Sequence, residues 1–273
     1  MTDFPNGPGS AATLSHEIVE QIAENIWSAW QAHQLLPRPD ASMWPSTITD
    51  GYAIQDALAR LSGLHRIGWK IGATNRAAQE QLSLPGPLSG RLFAPFRYDS
   101  PAVIDSRTSA LRALEPEIAF RMGRDLPRRD QPYTPADVTE AIAWAQPALE
   151  IPDTRWRDWE SLGAPAFIAD NAAAGFLVLG AEVEDWRDVD LAALEARLVI
   201  NGETAETGRG ANVMDGPLNV LAWLANHLID RGKQLNAGDL VTTGTCTRIR
   251  FAKPGDEIVA DFGDFGSASA RFE

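Results

Sequence analysis

Residues 114–120 read Leu114-Glu115-Pro116-Glu117-Ile118-Ala119-Phe120. Leu114, Pro116, Ile118 and Phe120 fall on one side of a two-residue alternation, and Glu115, Glu117 and Ala119 on the other. That period is the mark of a strand with one face in a core. Working outward, 67–72 repeats it, with Ile67, Trp69 and Ile71 against Gly68, Lys70 and Gly72. Further strands are predicted at 147–151, 175–179, 196–200, 240–243, 257–262 and 267–272, and Asn201-Gly202 predicts a tight hairpin turn. Helices gather in front of the strands instead of alternating with them. Ile18, Val19, Ile22, Ala23, Ile26, Trp27 and Trp30 share one face of a helix over 15–34, stopped by Pro37 and Pro39. A second helix is expected over 50–61, capped by Thr49 or Asp50 and ended by Gly63, a third after Thr134-Pro135, and a fourth over 217–229. Strands and helices so arranged predict an α+β fold with a twisted, mixed β core and a small helical N-terminal region, in preference to a doubly wound α/β fold. The expected organisation is a tail over 1–13, a helical region over 14–63 and a β-rich catalytic body over 64–273 that forms one unit.

The same stretch carries the sharpest chemical feature. Residues i and i+2 of a strand share a face, so the Glu115 and Glu117 carboxylates lie close together and repel unless a cation or a proton sits between them. Pro116 cannot donate to a ladder, which predicts an edge or a bulge. With oxygen donors only, the fitting ion is hard, Mg2+ or Mn2+; the plainer alternative is a solvated acidic strand face. Glu150, at the end of the apolar run Pro147-Ala148-Leu149, offers a third carboxylate, and acids are also common at turns. Lys70 lies between Gly68 and Gly72 on its strand face, where two small neighbours leave room for a ligand. Desolvation there lowers the lysine pKa and suits acid–base chemistry; an exposed edge lysine is the other reading. Gly244-Thr245-Cys246-Thr247 follows a strand, and its N–H and hydroxyl groups can hold a carboxylate or form an ordinary turn. Gly208-Arg209-Gly210 either presents an arginine to a ligand or is a plain loop.

Composition narrows the partners. Among 273 residues, 37 are Asp or Glu and 24 Lys or Arg, a net charge of −13, which disfavours nucleic acid and anionic membrane surfaces. A single cysteine, Cys246, rules out an intrachain disulfide framework and a cysteine-rich zinc site. His16, His33, His65 and His227 have no zinc spacing, and no nucleophile elbow, P-loop or dinucleotide fingerprint is present. The first residues lack the pattern of a secretory signal and no apolar run is long enough to span a bilayer, so a cytoplasmic protein is expected.

Taken in order, a set of segments resembles the fumarylacetoacetate hydrolase superfamily, in the branch of the 2-oxopent-4-enoate hydratases and related 2-oxo-acid decarboxylases. They are Asp50-Gly51-Tyr52-Ala53-Ile54-Gln55, Gly68-Trp69-Lys70-Ile71-Gly72-Ala73-Thr74, Glu115-Pro116-Glu117-Ile118-Ala119, Ala148-Leu149-Glu150, Ala169-Asp170-Asn171, Gly208-Arg209-Gly210 followed by Pro217-Leu218-Asn219, Gly238-Asp239 and Thr243-Gly244-Thr245. The resemblance runs from about residue 15 to 272. It implies a mixed β-roll core, Mg2+ or Mn2+ held by Glu115, Glu117 and Glu150, and Lys70 as the catalytic residue beside the substrate. It also implies a substrate carboxylate on Gly244 and Thr245, a further substrate contact from Asn171, and a homo-oligomer. The implied activity is hydration of a 2-hydroxy-2,4-dienoate or 2-oxo-4-enoate to a 4-hydroxy-2-oxo acid in aromatic-compound catabolism. The alternatives are C–C hydrolysis or decarboxylation of a 2-oxo or 2,4-dioxo acid on the same metal site, or an oxo-acid-binding protein without catalysis. One position departs from the pattern: in Pro87-Leu88-Ser89-Gly90-Arg91-Leu92-Phe93, Leu88 stands where related hydratases carry an acid. Arg91 is expected there to meet a second carboxylate or another polar tail on the substrate.

Overall fold

The computed structural model describes residues 13–273; the expected tail lies, but for Thr13, outside the described residues. In chain order the elements are α1 (His16–Ala32), α2 (Ile48–Ser62), β1 (Arg66–Gly72), α3 (Arg76–Gln81), β2 (Leu88–Phe93), β3 (Arg97–Asp99), β4 (Ala102–Ile104) and β5 (Ala113–Met122). They continue with α4 (Pro135–Thr139), β6 (Ile142–Ile151), α5 (Ala164–Ala169), β7 (Phe176–Leu179), β8 (Glu195–Ile200), β9 (Glu203–Arg209) and α6 (Pro217–Asp230). β10 (Leu240–Thr242), β11 (Arg250–Phe251), β12 (Glu257–Asp261) and β13 (Ser267–Phe272) close the chain.

The strands form two mixed sheets, and the fold is the α+β β-roll with a helical N-terminal region. One sheet runs β2-β1-β10-β5-β6-β7-β3, with β11 adding to β5; the other runs β4-β13-β12-β8-β9. β1 with β10, β3 with β7 and β4 with β13 are parallel, and the remaining pairs antiparallel. The apolar faces of the two sheets meet in one core that includes Phe120, Trp186, Phe262 and Phe272, all buried. A second core joins Ile22 and Ile26 of α1, Ile54 and Leu58 of α2 and Ala166 of α5 with Trp156. α1 is capped at its start by the Ser15 hydroxyl. Thr47, and neither Thr49 nor Asp50, caps α2: its hydroxyl accepts from the Asp50 N–H while the Asp50 carboxylate accepts from Thr47. Asp50 is thus the reciprocal partner of a capping box, three residues inside the helix.

Pro116 lies in the interior of the sheet and not at an edge or bulge. It pairs in register with Leu149 of β6. On its other side, β10 pairs only with Ala119–Arg121 and β11 only with Ala113 and Leu114. Pro116 falls in the gap between them, where its carbonyl accepts from the Cys246 N–H at 2.8 Å. N–H and C=O of one strand residue point the same way, so the missing donor faces a loop and costs no ladder bond.

Candidate metal and substrate site

Register builds the site. Glu115 of β5 stands directly opposite Glu150 of β6, and Glu117 is two residues further along the same face. Like charges placed opposite one another destabilise a sheet. One carboxylate oxygen from each of the three lies within 4.8 Å of the other two. Glu117 and Glu150 are buried, and Glu115 opens onto a cavity. Burial pushes the Glu115 carboxyl up to about 7, and burial with the charges of Glu150 and Glu115 pushes Glu117 well above the usual carboxylate range.

Few donors relieve this crowding. Glu117 Oε2 accepts from the Gly244 N–H at 2.6 Å, while Glu117 Oε1 has no hydrogen-bond partner. Glu150 Oε2 accepts from the Thr242 hydroxyl at 3.3 Å, and Glu150 Oε1 meets the Lys70 ammonium at 3.0 Å. Three converging carboxylates, one with an orphaned buried oxygen and no nitrogen or sulfur donor among them, fit a hard divalent cation.

Lys70 is buried on β1, in register with Thr242 of β10 on one side and Gly90 of β2 on the other. Its ammonium donates to the Ala172 carbonyl at 3.0 Å. The sequence predicts a lysine pKa lowered by desolvation; burial does pull it down, but the charges of Glu150, Glu115 and Glu117 outweigh that and leave it raised. Lys70 is therefore held as a cation. The carbonyl it meets belongs to Asn171–Ala173, three consecutive residues with φ of 52°, 56° and 54°. Such left-handed backbone costs a non-glycine residue about 1–2 kcal/mol. Gly90 makes the approach possible, because a Cβ there would come within 2.3 Å of the Asn171 carbonyl oxygen.

The other expected residues part company. Gly244 and Thr245 border the cavity. The Gly244 N–H, however, is given to Glu117, and the Thr245 hydroxyl exchanges hydrogen bonds with the Thr247 backbone. Gly244 has φ of 91°, and a Cβ on it would meet Thr74 Oγ1 at 2.2 Å, so the close turn that delivers this donor requires glycine. Asn171 does not face the cavity: its side chain is buried and exchanges hydrogen bonds with the backbone N–H and carbonyl of Arg91. Nor does Arg91. On β2 its register partner is Trp69, which puts it on the face opposite Lys70. There its guanidinium stacks on Trp69, pairs with Asp56 and donates to Gln55 Oε1 at 2.8 Å. Leu88 is buried and lies on the Lys70 face of β2, against Gly72. Thr242, Gly90 and the Ala172 carbonyl were not anticipated. A glycine inside a buried strand is a signal of close backbone approach, but the sequence pattern predicts no strand over 88–93.

Among the described residues no helix is long and apolar enough to cross a membrane. Residues 97–273 match the family described as fumarylacetoacetate (FAA) hydrolase C-terminal. A 2-keto-4-pentenoate hydratase of Burkholderia vietnamiensis is 36% identical over 82% of this chain and 86% of its own. A 4-oxalocrotonate decarboxylase of Pseudomonas putida is 32% identical over 95% of this chain and 98% of its own. The solved structure of 4-oxalocrotonate decarboxylase from Pseudomonas putida G7, complexed with magnesium and adipate, superposes with a TM-score of 0.89 at 29% identity, covering 96% of this chain and all of that one.

Proposed function

Since the chain belongs to the fumarylacetoacetate hydrolase family, we propose that it is a divalent-metal-dependent hydratase of 2-hydroxy-2,4-dienoates, acting in aromatic-compound catabolism. The observation that carries the reading is the convergence of Glu115, Glu117 and Glu150 beside Lys70 at one end of a cavity of about 250 Å³. Relatives of 31–36% identity named as hydratases of 2-keto-4-pentenoate and 2-hydroxyhexa-2,4-dienoate support it. The net reaction adds one water: a proton to C5, hydroxide to C4 and a proton to C3, while the C2 hydroxyl gives up its proton to become the 2-oxo group, giving a 4-hydroxy-2-oxo acid.

The three glutamates would hold Mg2+ or Mn2+. Bound there, such an ion acts as a Lewis acid for a 2-oxo acid's C1 carboxylate and C2 oxygen. The protein's own groups set the rest. Gly244 fixes one Glu117 oxygen and leaves the other free to ligate. Glu150 and the Ala172 carbonyl hold the Lys70 ammonium at the cavity, where it gives a proton to the substrate carbon chain or steadies the developing negative oxygen. Lys70, Glu117, Glu150 and Thr242 are buried at that end, which limits bulk water around the charge.

Leu88 favours a second reading. It places an apolar side chain beside the Lys70 strand where related hydratases carry an acid, which suits C–C hydrolysis or decarboxylation of a 2-oxo or 2,4-dioxo acid on the same site. The test is to mix purified protein with 2-hydroxypenta-2,4-dienoate and Mg2+ and follow the diene absorbance and the product mass. Hydration yields a product one water heavier, and EDTA stops it. Turnover undiminished by EDTA overturns the metal role; a product with a shortened carbon chain selects the second reading. The proposal also takes the protein to be a cytoplasmic homo-oligomer, and a sedimentation mass of a single chain would overturn the latter.

A further inference from the structure

The far end of the cavity has no part in the chemistry just described. Phe251 of β11 stands opposite Ala113 of β5, and cross-strand partners share a face. Ala113, Glu115 and Glu117 are spaced by two residues, so the carboxylate-bearing face of β5 runs on to Phe251. The distance from the Glu117 row to the Phe251 row is about 13 Å at ~3.3 Å per residue. This exceeds the reach of a five-carbon acid seated at the glutamates. Trp159, Ile249 and Phe251 make that end apolar, and Ala78, Leu82 and Phe167 add apolar side chains to the rest of the cavity lining. Ile249 and Phe251 are 45% and 51% exposed, among the few large hydrophobic side chains that the described residues leave open to solvent. The Trp159 and Phe251 rings lie 6.4 Å apart across this end.

Charge adds a second constraint. Among the described residues that line the cavity, Lys70 is the one cation, and its ammonium is committed to Glu150 and the Ala172 carbonyl. Glu160 lines the apolar end. Arg91, the expected seat of a second carboxylate, is spent on Asp56 behind the sheet. A carboxylate in the tail would find no free cation among the described lining residues and would face a like charge.

We propose that the cavity selects 2-oxo acids with a single carboxylate and an apolar tail reaching toward Phe251, and rejects 2-oxo diacids. The inference rests on the reading of the glutamate end as the seat of the 2-oxo acid head, and a binding experiment separates the two. The Mg2+-loaded protein is titrated calorimetrically with oxalate, which has the head without a tail, and with 2-oxooctanoate and 2-oxoadipate. Each methylene buried against the wall is worth about fourfold in affinity. We expect 2-oxooctanoate to bind at least tenfold more tightly than 2-oxoadipate. A ratio below tenfold with oxalate bound overturns the tail proposal alone; failure of oxalate to bind overturns the head reading as well. Ile249→Arg, at a half-exposed position, should lower the ratio at least tenfold by supplying a cation and removing apolar wall. An unchanged ratio in a folded variant overturns the placement of the tail there.

Discussion

Glu117 is a buried carboxylate with one backbone donor on Oε2 and none on Oε1, placed among two other acids. Such a side chain costs the metal-free protein stability, which a proton or a bound cation would relieve. Glu117→Gln keeps an oxygen for the Gly244 N–H and removes one charge. It should therefore raise the Tm in EDTA while lowering Mg2+-dependent turnover about a hundredfold or more; a Tm that falls would contradict the crowding described. His227 is a second residue out of its ordinary range. Burial, with Arg231 and Lys233 nearby, pushes it from 6.5 down to about 4; its ring stacks on Trp223 with centroids 4.6 Å apart, and its Nε2 lies 3.2 Å from Ser89 Oγ. Between those two pH values the unfolded chain binds a proton that the native chain does not, so stability falls as pH falls through the window. From pH 7.5 to 5 the loss from this group is about 2 kcal/mol. Denaturant titrations at both pH values should show that difference shrink by that amount in His227→Gln. At this scale the nearness of Glu115 and Glu117 was legible in the sequence, because a strand's period puts them on one face without knowledge of the fold; that Glu150 and Lys70 join them was implied by the family resemblance alone. The fate of Arg91 was not, since its partner Asp56 lies on a helix 35 residues away and nothing local announces the pair.

Elements were legible where polarity alternates. β1 and β5 carry a clean two-residue period and fall where it predicts. β2 has none: all six of its residues are buried, so Leu88–Phe93 has no polar face to mark it. α3 and α5 have six residues each, too few to display a helical repeat. The left-handed turn at Asn171–Ala173 is invisible for a different reason: alanine is a poor residue for that conformation, and only tertiary contacts hold it there. A milder case permits a test. His33 ends α1 with φ of 51°, and its side chain is exposed. Glycine adopts that conformation without strain, so His33→Gly should stabilise the protein by about 0.5–1 kcal/mol, measured by chemical denaturation. A loss of stability would show that the imidazole makes a contact worth more than the backbone strain.

Over the whole molecule, the site is a tie between strands. β5 and β6 supply the carboxylates, β1 the ammonium, and the turn after β10 the donor to Glu117. A cation bound only by the native arrangement stabilises the whole fold by mass action, so Mg2+ at a hundred times its Kd should add about 2.7 kcal/mol. Thermal melts with Mg2+ and with EDTA measure the difference, and Glu117→Gln should abolish it. The mixed β core and its helical front were readable from the order of strands and helices and the β-roll from the family resemblance, whereas the partition into two sheets depends on pairings between distant segments. One of those pairings governs how the protein is made. β10 is a three-residue strand, yet it alone stands between the β1–β2 pair and the β5–β6–β7 group. It leaves the ribosome about 170 residues after its partner β1, a wait of roughly 10–30 s at ordinary translation rates. Until then the lysine and the glutamates belong to two separate sheet fragments with open edges. A nascent chain is thus exposed to chaperones and to aggregation for most of its synthesis, and acquires a complete site only when its last strands emerge.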